Sequence, residues 1–163
     1  MFRFLLLLFS FSQSFVSIAQ NSSIEIGELN NGVNQLNNLQ TPLTKAFEWT
    51  FKDGTKINDL KIEQLSSNYY LVAYCTYQGH KRMAAVDLEL IGLKFTLPEN
   101  ANFKLCSAVA CENCRFFLES NKIIACKCEE TGTISNHCHY KSSTALAFIS
   151  NLKRAIKMTE KGE

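Results

Sequence analysis

The chain has 163 residues with 17 basic and 15 acidic side chains, for a formal charge of +2. That near-balance gives no electrostatic footing for nucleic acid or anionic lipid as the main partner. The length suits a single domain able to bury roughly two-thirds of its unfolded surface.

Met1-Phe2-Arg3 makes a short positive start. Phe4 through Phe9 form an apolar run, and Ser17-Ile18-Ala19 puts small residues where a signal peptidase needs them. This pattern predicts a signal peptide over residues 1–19, cleaved after Ala19. A membrane anchor is the competing reading. The stretch is diluted by Ser10, Ser12, Gln13, Ser14 and Ser17, whereas spanning takes about 20 apolar residues. No transmembrane segment is expected after cleavage, and the mature chain is expected to be secreted or periplasmic.

Residues 20–42 are rich in Asn and Gln and contain no aromatic side chain. This composition predicts a linker. Leu29, Val33, Leu36 and Leu39 fall at spacings of three and four, so a short docking helix is the alternative. Residues 43–163 are then one cysteine-rich domain.

Phe47, Trp49 and Phe51 alternate with Glu48, Thr50 and Lys52, which predicts a half-buried strand turning at Lys52-Asp53-Gly54-Thr55. A second strand with an irregular start follows through Leu60 and Ile62. The run from Tyr69 to Tyr77 is aromatic and β-branched, which favours a strand. From Lys81 onward Ala84, Val86, Leu88 and Leu90 share one face while Asp87 and Glu89 point away. Phe95 to Leu97 predicts a short fifth strand before Pro98. The short turns predict an antiparallel meander with one packed and one wetted face.

At the far end, Ser142-Ser143-Thr144 offers capping oxygens to a helix carrying Ala145, Phe148, Ile149, Leu152 and Ile156 at helical spacing. The helix is expected to pack its apolar stripe on the sheet. Lying as a basic amphipathic helix on a membrane is the lesser reading.

Six cysteines, Cys106, Cys111, Cys114, Cys126, Cys128 and Cys138, fall within a 33-residue stretch. Three disulfides are the first reading, since export permits them and a loop-rich segment needs them. Cys126 and Cys128 flank Lys127 on an expected strand. Their sulfurs then share a face with Cα atoms about 6.5–7 Å apart and parallel Cβ vectors. They should therefore not pair with each other, and each needs a partner among Cys106, Cys111, Cys114 and Cys138.

Two other readings of the cluster remain. Cys111, Cys114, Cys126, Cys128 and Cys138, with His139 or His137, have the thiolate and imidazole types that hold zinc. Cys111-Glu112-Asn113-Cys114 could instead be a redox dithiol, which would need an exposed sulfur of low pKa. Cys75 stands apart on the Tyr69–Tyr77 strand, on the face of Leu71, Ala73 and Tyr77, and is expected to be buried and inert.

Catalysis finds little support. His80 sits in a turn, His137 and His139 flank Cys138, and Asp53 and Asp59 read as turn residues. The Asp87 and Glu89 pair follows from alternation on a wetted face. No Gly-rich phosphate loop, G-x-S-x-G or H-E-x-x-H occurs. No catalytic residue is expected and no cofactor, zinc excepted in the metal reading.

Residues 97–139, with Leu97-Pro98-Glu99-Asn100 ahead of Cys106, then Cys111-Glu112-Asn113-Cys114-Arg115-Phe116, Cys126-Lys127-Cys128 and Cys138-His139, carry a C-x4-C-x2-C, C-x-C, C-x-H pattern. This resembles a group of small exported Bacteroidota proteins. The resemblance implies a bacterial envelope or extracellular location and carries no activity with it. Cys75 falls outside the pattern.

The expected protein is an α+β domain: an antiparallel meander of four to five strands, a disulfide-rich loop region and a C-terminal amphipathic helix on the sheet. It is expected to act as a non-enzymatic binding or structural module of the envelope, toward an unidentified protein or envelope ligand. An exposed aromatic patch of Tyr70, Tyr74 and Phe116 or Phe117 would mark the binding face.

Overall fold

Asn31 and Gly32 both take positive φ, 51° and 77°, as a type I′ hairpin turn requires. That turn converts most of the expected linker into paired strands, β1 (Ile24–Asn30) and β2 (Val33–Leu36). The apolar spacing that suggested a docking helix is divided between the two arms of the hairpin, Leu29 in one and Val33 and Leu36 in the other, with Leu39 at the cap of the helix that follows. The computed structural model describes residues 23–129 and 137–162; the export signal expected over residues 1–19 lies outside them.

Next comes a helix, α1 (Gln40–Phe51), where a strand was expected over Phe47–Phe51. Leu43, Ala46 and Phe47 are its buried apolar positions, and Phe51 follows Phe47 at i+4 with the two rings 6.2 Å apart. The alternation at 47, 49 and 51 was therefore part of a helical pattern that had already begun at Leu43. Pro42 lies in the first turn, where a missing N–H costs nothing. The helix ends at Lys52, whose φ is 56° and whose N–H bonds to the Glu48 carbonyl.

The meander follows as read: β3 (Lys56–Leu65), β4 (Asn68–Tyr77), β5 (His80–Ile91) and β6 (Lys94–Leu97), all paired antiparallel. The irregular start of β3 is a register shift between Ile57 and Asp59. Asp59 thus lies inside the strand and not in a turn. β5 is the spine. One edge pairs with β4 from His80 to Leu88; the other pairs first with β7 (Asn102–Ala108) over Arg82–Val86 and then with β6 over Glu89–Ile91. β6 and β7 are one strand line interrupted around Pro98, where Ala101 N–H bonds to the Pro98 carbonyl. β1 adds to the outer edge of β6, and β10 (Cys138–Thr144) adds to the outer edge of β7.

The region expected as disulfide-rich loops is largely strand: β7, β10 and a separate two-stranded ribbon, β8 (Cys114–Glu119) with β9 (Lys122–Cys128). Ser142-Ser143-Thr144 belong to β10 and do not cap the last helix. That helix, α2 (Leu146–Glu160), starts at Ala145 without a side-chain cap. Its stripe of Phe148, Ile149, Leu152 and Ala155 is buried against α1 and the sheet, so the packed reading of this helix holds. Among the described residues no helix is long and apolar enough to cross a membrane.

Two apolar clusters result, one on each face of the sheet. Leu71, Ala73 and Cys75 of β4 and Ala84, Val86 and Leu88 of β5 face the helices, together with Phe47, Phe95, Phe103 and Phe148. The rings of Phe47 and Phe148 are 4.6 Å apart. Tyr70, Val72, Ala85, Cys106 and Ala108 point the other way and are covered by the ribbon. A single wetted face was expected; the ribbon packs much of it instead.

Gly27 marks the tightest approach. A Cβ there would collide with the Gln35 carbonyl of β2 and come within 2.6 Å of the Ile62 Cδ1 of β3. This is where the β1–β2 hairpin closes down on β3, and Asn34 Nδ2 donates to the Ile62 carbonyl at 3.2 Å beside it. Because the obstacle is backbone, Gly27→Ala should destabilise the fold by about 1–3 kcal/mol. A lowered urea midpoint at unchanged slope would show it.

Candidate functional site

The ribbon is held at both ends. Three disulfides, two at its open end and one further in, join Cys111 to Cys128, Cys114 to Cys138 and Cys106 to Cys126. Their Cα separations are 5.9, 5.8 and 5.8 Å, within the ordinary range for a bridge. Cys126 and Cys128 do not pair with each other, as their common face on one strand dictates. Cys111 and Cys114 do not pair either.

Cys114 and Cys128 lie directly opposite one another in the ribbon register, yet each bonds to a different element. Cys128 takes the β7–β8 loop through Cys111, and Cys114 takes the first residue of β10. One bridge near the ribbon centre, Cys106–Cys126, ties β9 down onto β7. At the closed end, Ser120 and Asn121 form the turn with positive φ. Asn68 Nδ2 donates to the Asn121 carbonyl at 2.6 Å, and Ser66 Oγ donates to Asn121 Oδ1. The ribbon tip is thereby fastened to the β3–β4 turn.

This placement disposes of the expected aromatic patch. Tyr70 and Phe116 are 3% and 5% exposed and belong to the second core. Tyr74 and Phe117 are half-buried. Tyr74 Oη donates to Glu63 Oε1 at 2.6 Å, and burial together with that carboxylate pushes its pKa well up.

A cleft of about 430 Å³ opens between the ribbon tip and the sheet, lined among others by Asn68, Tyr70, Asp87, Lys104, Lys122 and Tyr140. Its floor is polar. Asp87 accepts hydrogen bonds from the Asn102 backbone and side chain and from Lys104 Nζ. The Lys104 ammonium also lies 5.3 Å from the centre of the Tyr70 ring. Tyr140 Oη donates to the Ile123 carbonyl at 3.1 Å. Asp87, expected to point idly to solvent, anchors this network, whereas Glu89 is exposed and takes no part in it. Burial raises the pKa of Tyr70, so its hydroxyl stays protonated as a hydrogen-bonding group.

The other buried cation lies on the helix side. Arg82 is 9% exposed; its Nη1 donates to Asp53 Oδ2 at 2.6 Å and to Thr55 Oγ1, and its Nε to Ser107 Oγ at 3.0 Å. Its guanidinium lies 4.2 Å from the Tyr77 ring centre. Burial acts to raise the Asp53 pKa, but the hydrogen bonds from Arg82 and Thr55 outweigh it and hold the carboxyl below its ordinary value. Asp53 is thus a turn residue, as expected, and also the counter-ion of Arg82. Neither Arg82 nor Lys104 was singled out from the sequence. For Arg82 the signal was its parity with Ala84 and Val86, which put a charge on an apolar face.

Cys75 is buried at 3% exposure on the face of Leu71 and Ala73, as expected, and burial pushes its thiol up to about 12. His80 is exposed at the start of β5, and His137 and His139 are exposed around Cys138. Cys111, Cys114 and Cys138 bring their sulfurs within 4.8 Å of one another. Cys126, Cys128 and His139, also named in the metal reading, are not in that group. No protein-family model, curated protein or solved structure matches the chain.

Two consequences can be measured. Replacing Cys106 and Cys126 together by Ala opens a loop of 20 residues in sequence separation and should cost about 3 kcal/mol, read as a lowered denaturation midpoint. Asp53→Asn strips Arg82 of its charge partner and should cost about 2–3 kcal/mol, below the figure for a fully buried pair because Asp53 is partly exposed. Since the folded Asp53 pKa is depressed, its contribution is full above the unfolded value near about 3.9 and is lost as pH falls through the folded one. The acid limb of stability against pH should therefore be shallower in Asp53→Asn than in the parent.

Proposed function

We propose that this protein is an exported, disulfide-stapled binding or structural module of the bacterial envelope, without catalytic activity, whose ligand-facing surface is the cleft beneath the ribbon tip. The observation that carries the reading is the double fastening of the ribbon, by two bridges at one end with a third further in, and by Asn68 and Ser66 at the other. A two-stranded ribbon is marginal on its own; here it is held rigidly over a polar cleft, which lowers the ordering cost of binding. Bridges of this kind persist in oxidising compartments, in keeping with the amino-terminal pattern of residues 1–19 and with the resemblance to exported Bacteroidota proteins.

The cleft favours a ligand that hydrogen-bonds over one that is purely apolar. Tyr70 and Tyr140 supply apolar walls with polar tips, and Lys104, Asn68 and Lys122 supply donors.

The test is the intact mass of the natively exported protein, measured with and without reduction and alkylation under conditions that retain metal. The expected result is a mature chain beginning after Ala19 that is lighter by two hydrogens for each of three bridges, with no bound metal and one alkylatable thiol, Cys75, after unfolding. A chain with all seven thiols alkylatable and a metal adduct would overturn the stapled module.

A further inference from the structure

The two outer bridges are not independent of each other. Cys111 leaves the β7–β8 loop, Cys114 opens β8, Cys128 closes β9 and Cys138 opens β10, so four chain segments deliver their sulfurs to one end of the ribbon. The sulfurs of Cys111, Cys114 and Cys138 lie within 4.8 Å of one another. Cys128 lies outside that group of three but is bonded to one of its members, Cys111, and sits opposite another, Cys114, in the register, which puts the fourth sulfur next to it. All four residues are 3–8% exposed. The third bridge, Cys106–Cys126, lies further along the ribbon, where Cys126 Sγ borders the Leu105 and His139 carbonyls.

We propose that Cys111, Cys114, Cys128 and Cys138 form a redox-gated site for a thiophilic divalent cation, zinc in chemistry, which is closed while the two bridges are intact and opens when they are reduced. It rests on the stapled reading above, because the staples are its closed state. The step balances with a dithiol as reductant. Two dithiol molecules each transfer two electrons and two protons, one to each bridge, and leave as two cyclic disulfides. The four thiols then release their protons to solvent as their sulfurs take the cation.

Four thiolates in a dry pocket make the closed tetrahedral set of a structural zinc site. Cys111 and Cys114, two residues apart on a loop entering a strand, supply the short-spaced pair such sites use. The three sulfurs already within 4.8 Å need move little to reach the edges of a tetrahedron with metal–sulfur bonds of about 2.3 Å, and that of Cys128 turns in from beside Cys111 once the bond between them opens. The cation would then join the same four segments as the two bridges it replaces, and Cys106–Cys126 would go on holding the ribbon to β7. His139 has no role in this set.

The experiment uses the full exported chain carrying Cys75→Ala, reduced with a dithiol, freed of reductant anaerobically and titrated with Co2+ and then Zn2+. The expected result is one Co2+ per chain, with thiolate-to-cobalt charge-transfer absorption and tetrahedral d–d bands that Zn2+ abolishes. Cys106→Ser with Cys126→Ser should leave the stoichiometry and spectrum unchanged, whereas Cys114→Ser with Cys138→Ser should lose them. Far-ultraviolet circular dichroism of each variant, with and without Zn2+, reports folding separately. Absence of cobalt–thiolate absorption in the reduced parent would overturn the site, as would equal loss in both double variants or a reduced chain that Zn2+ fails to keep folded. The outcome is separable from that of the stapled reading, which is decided by the mass of the exported protein before any reductant is added.

Discussion

The clamping of the β8–β9 ribbon onto the β5–β7–β10 face is the constraint on which the architecture rests. Without it, Val72, Ala85, Cys106 and Ala108 would be an apolar strip open to water on a sheet whose other face is already committed to the helices. The ribbon supplies Phe116, Ile123, Cys126 and Cys128 to cover that strip. Its hydrogen bonds alone would not hold so short an element, and its apolar payload is small. Loop closures of 17 to 24 residues make up the difference by shrinking the unfolded ensemble, each on the order of 3 kcal/mol.

Both buried cations follow from the same two-sided packing. Lys104 and Arg82 sit near the margins of the two clusters, where the covering layer runs out and a long side chain can bury its stem while its head meets a carboxylate. Asp87 meets the first and Asp53 the second. These pairs orient the surfaces they border more than they add to stability, since desolvation offsets much of the attraction. On the ribbon side that orientation fixes Tyr70 and Lys104 along the cleft. On the helix side it locks the Asp53–Thr55 turn against β5 and β7.

The meander from Lys56 to Leu97 and the terminal helix were legible because each carries an unambiguous period over many residues. β4 shows how far that goes: its aromatic and β-branched run identified a strand, but the burial of Tyr70 and Val72 on the face away from the helices depends on a ribbon 50 residues downstream. The helix α1 was misread because Phe47, Trp49 and Phe51 satisfy a two-residue period locally, while Leu43 and Ala46, which reveal the helical one, lie just ahead of that window. The β1–β2 hairpin was hidden by composition, although Asn31-Gly32 is the turn pair with the clearest local signature. In the cysteine region, strand geometry forbade a Cys126–Cys128 bridge but could not choose partners. That choice depends on β10 returning beside β7, a pairing set by tertiary contact.

Cys75 bears on how the chain reaches its native bridges. Seven thiols permit many more wrong pairings than six, and an accessible seventh would compete throughout oxidation. Its seat between Leu71, Ala73 and the Arg82–Asp53 pair takes it out of that competition once the helices have closed over β4, leaving a thiol with almost no anionic character at neutral pH. In the folded chain the odd sulfur therefore lies on the helix side of the sheet, while the six that pair lie on the opposite side, in the ribbon cluster.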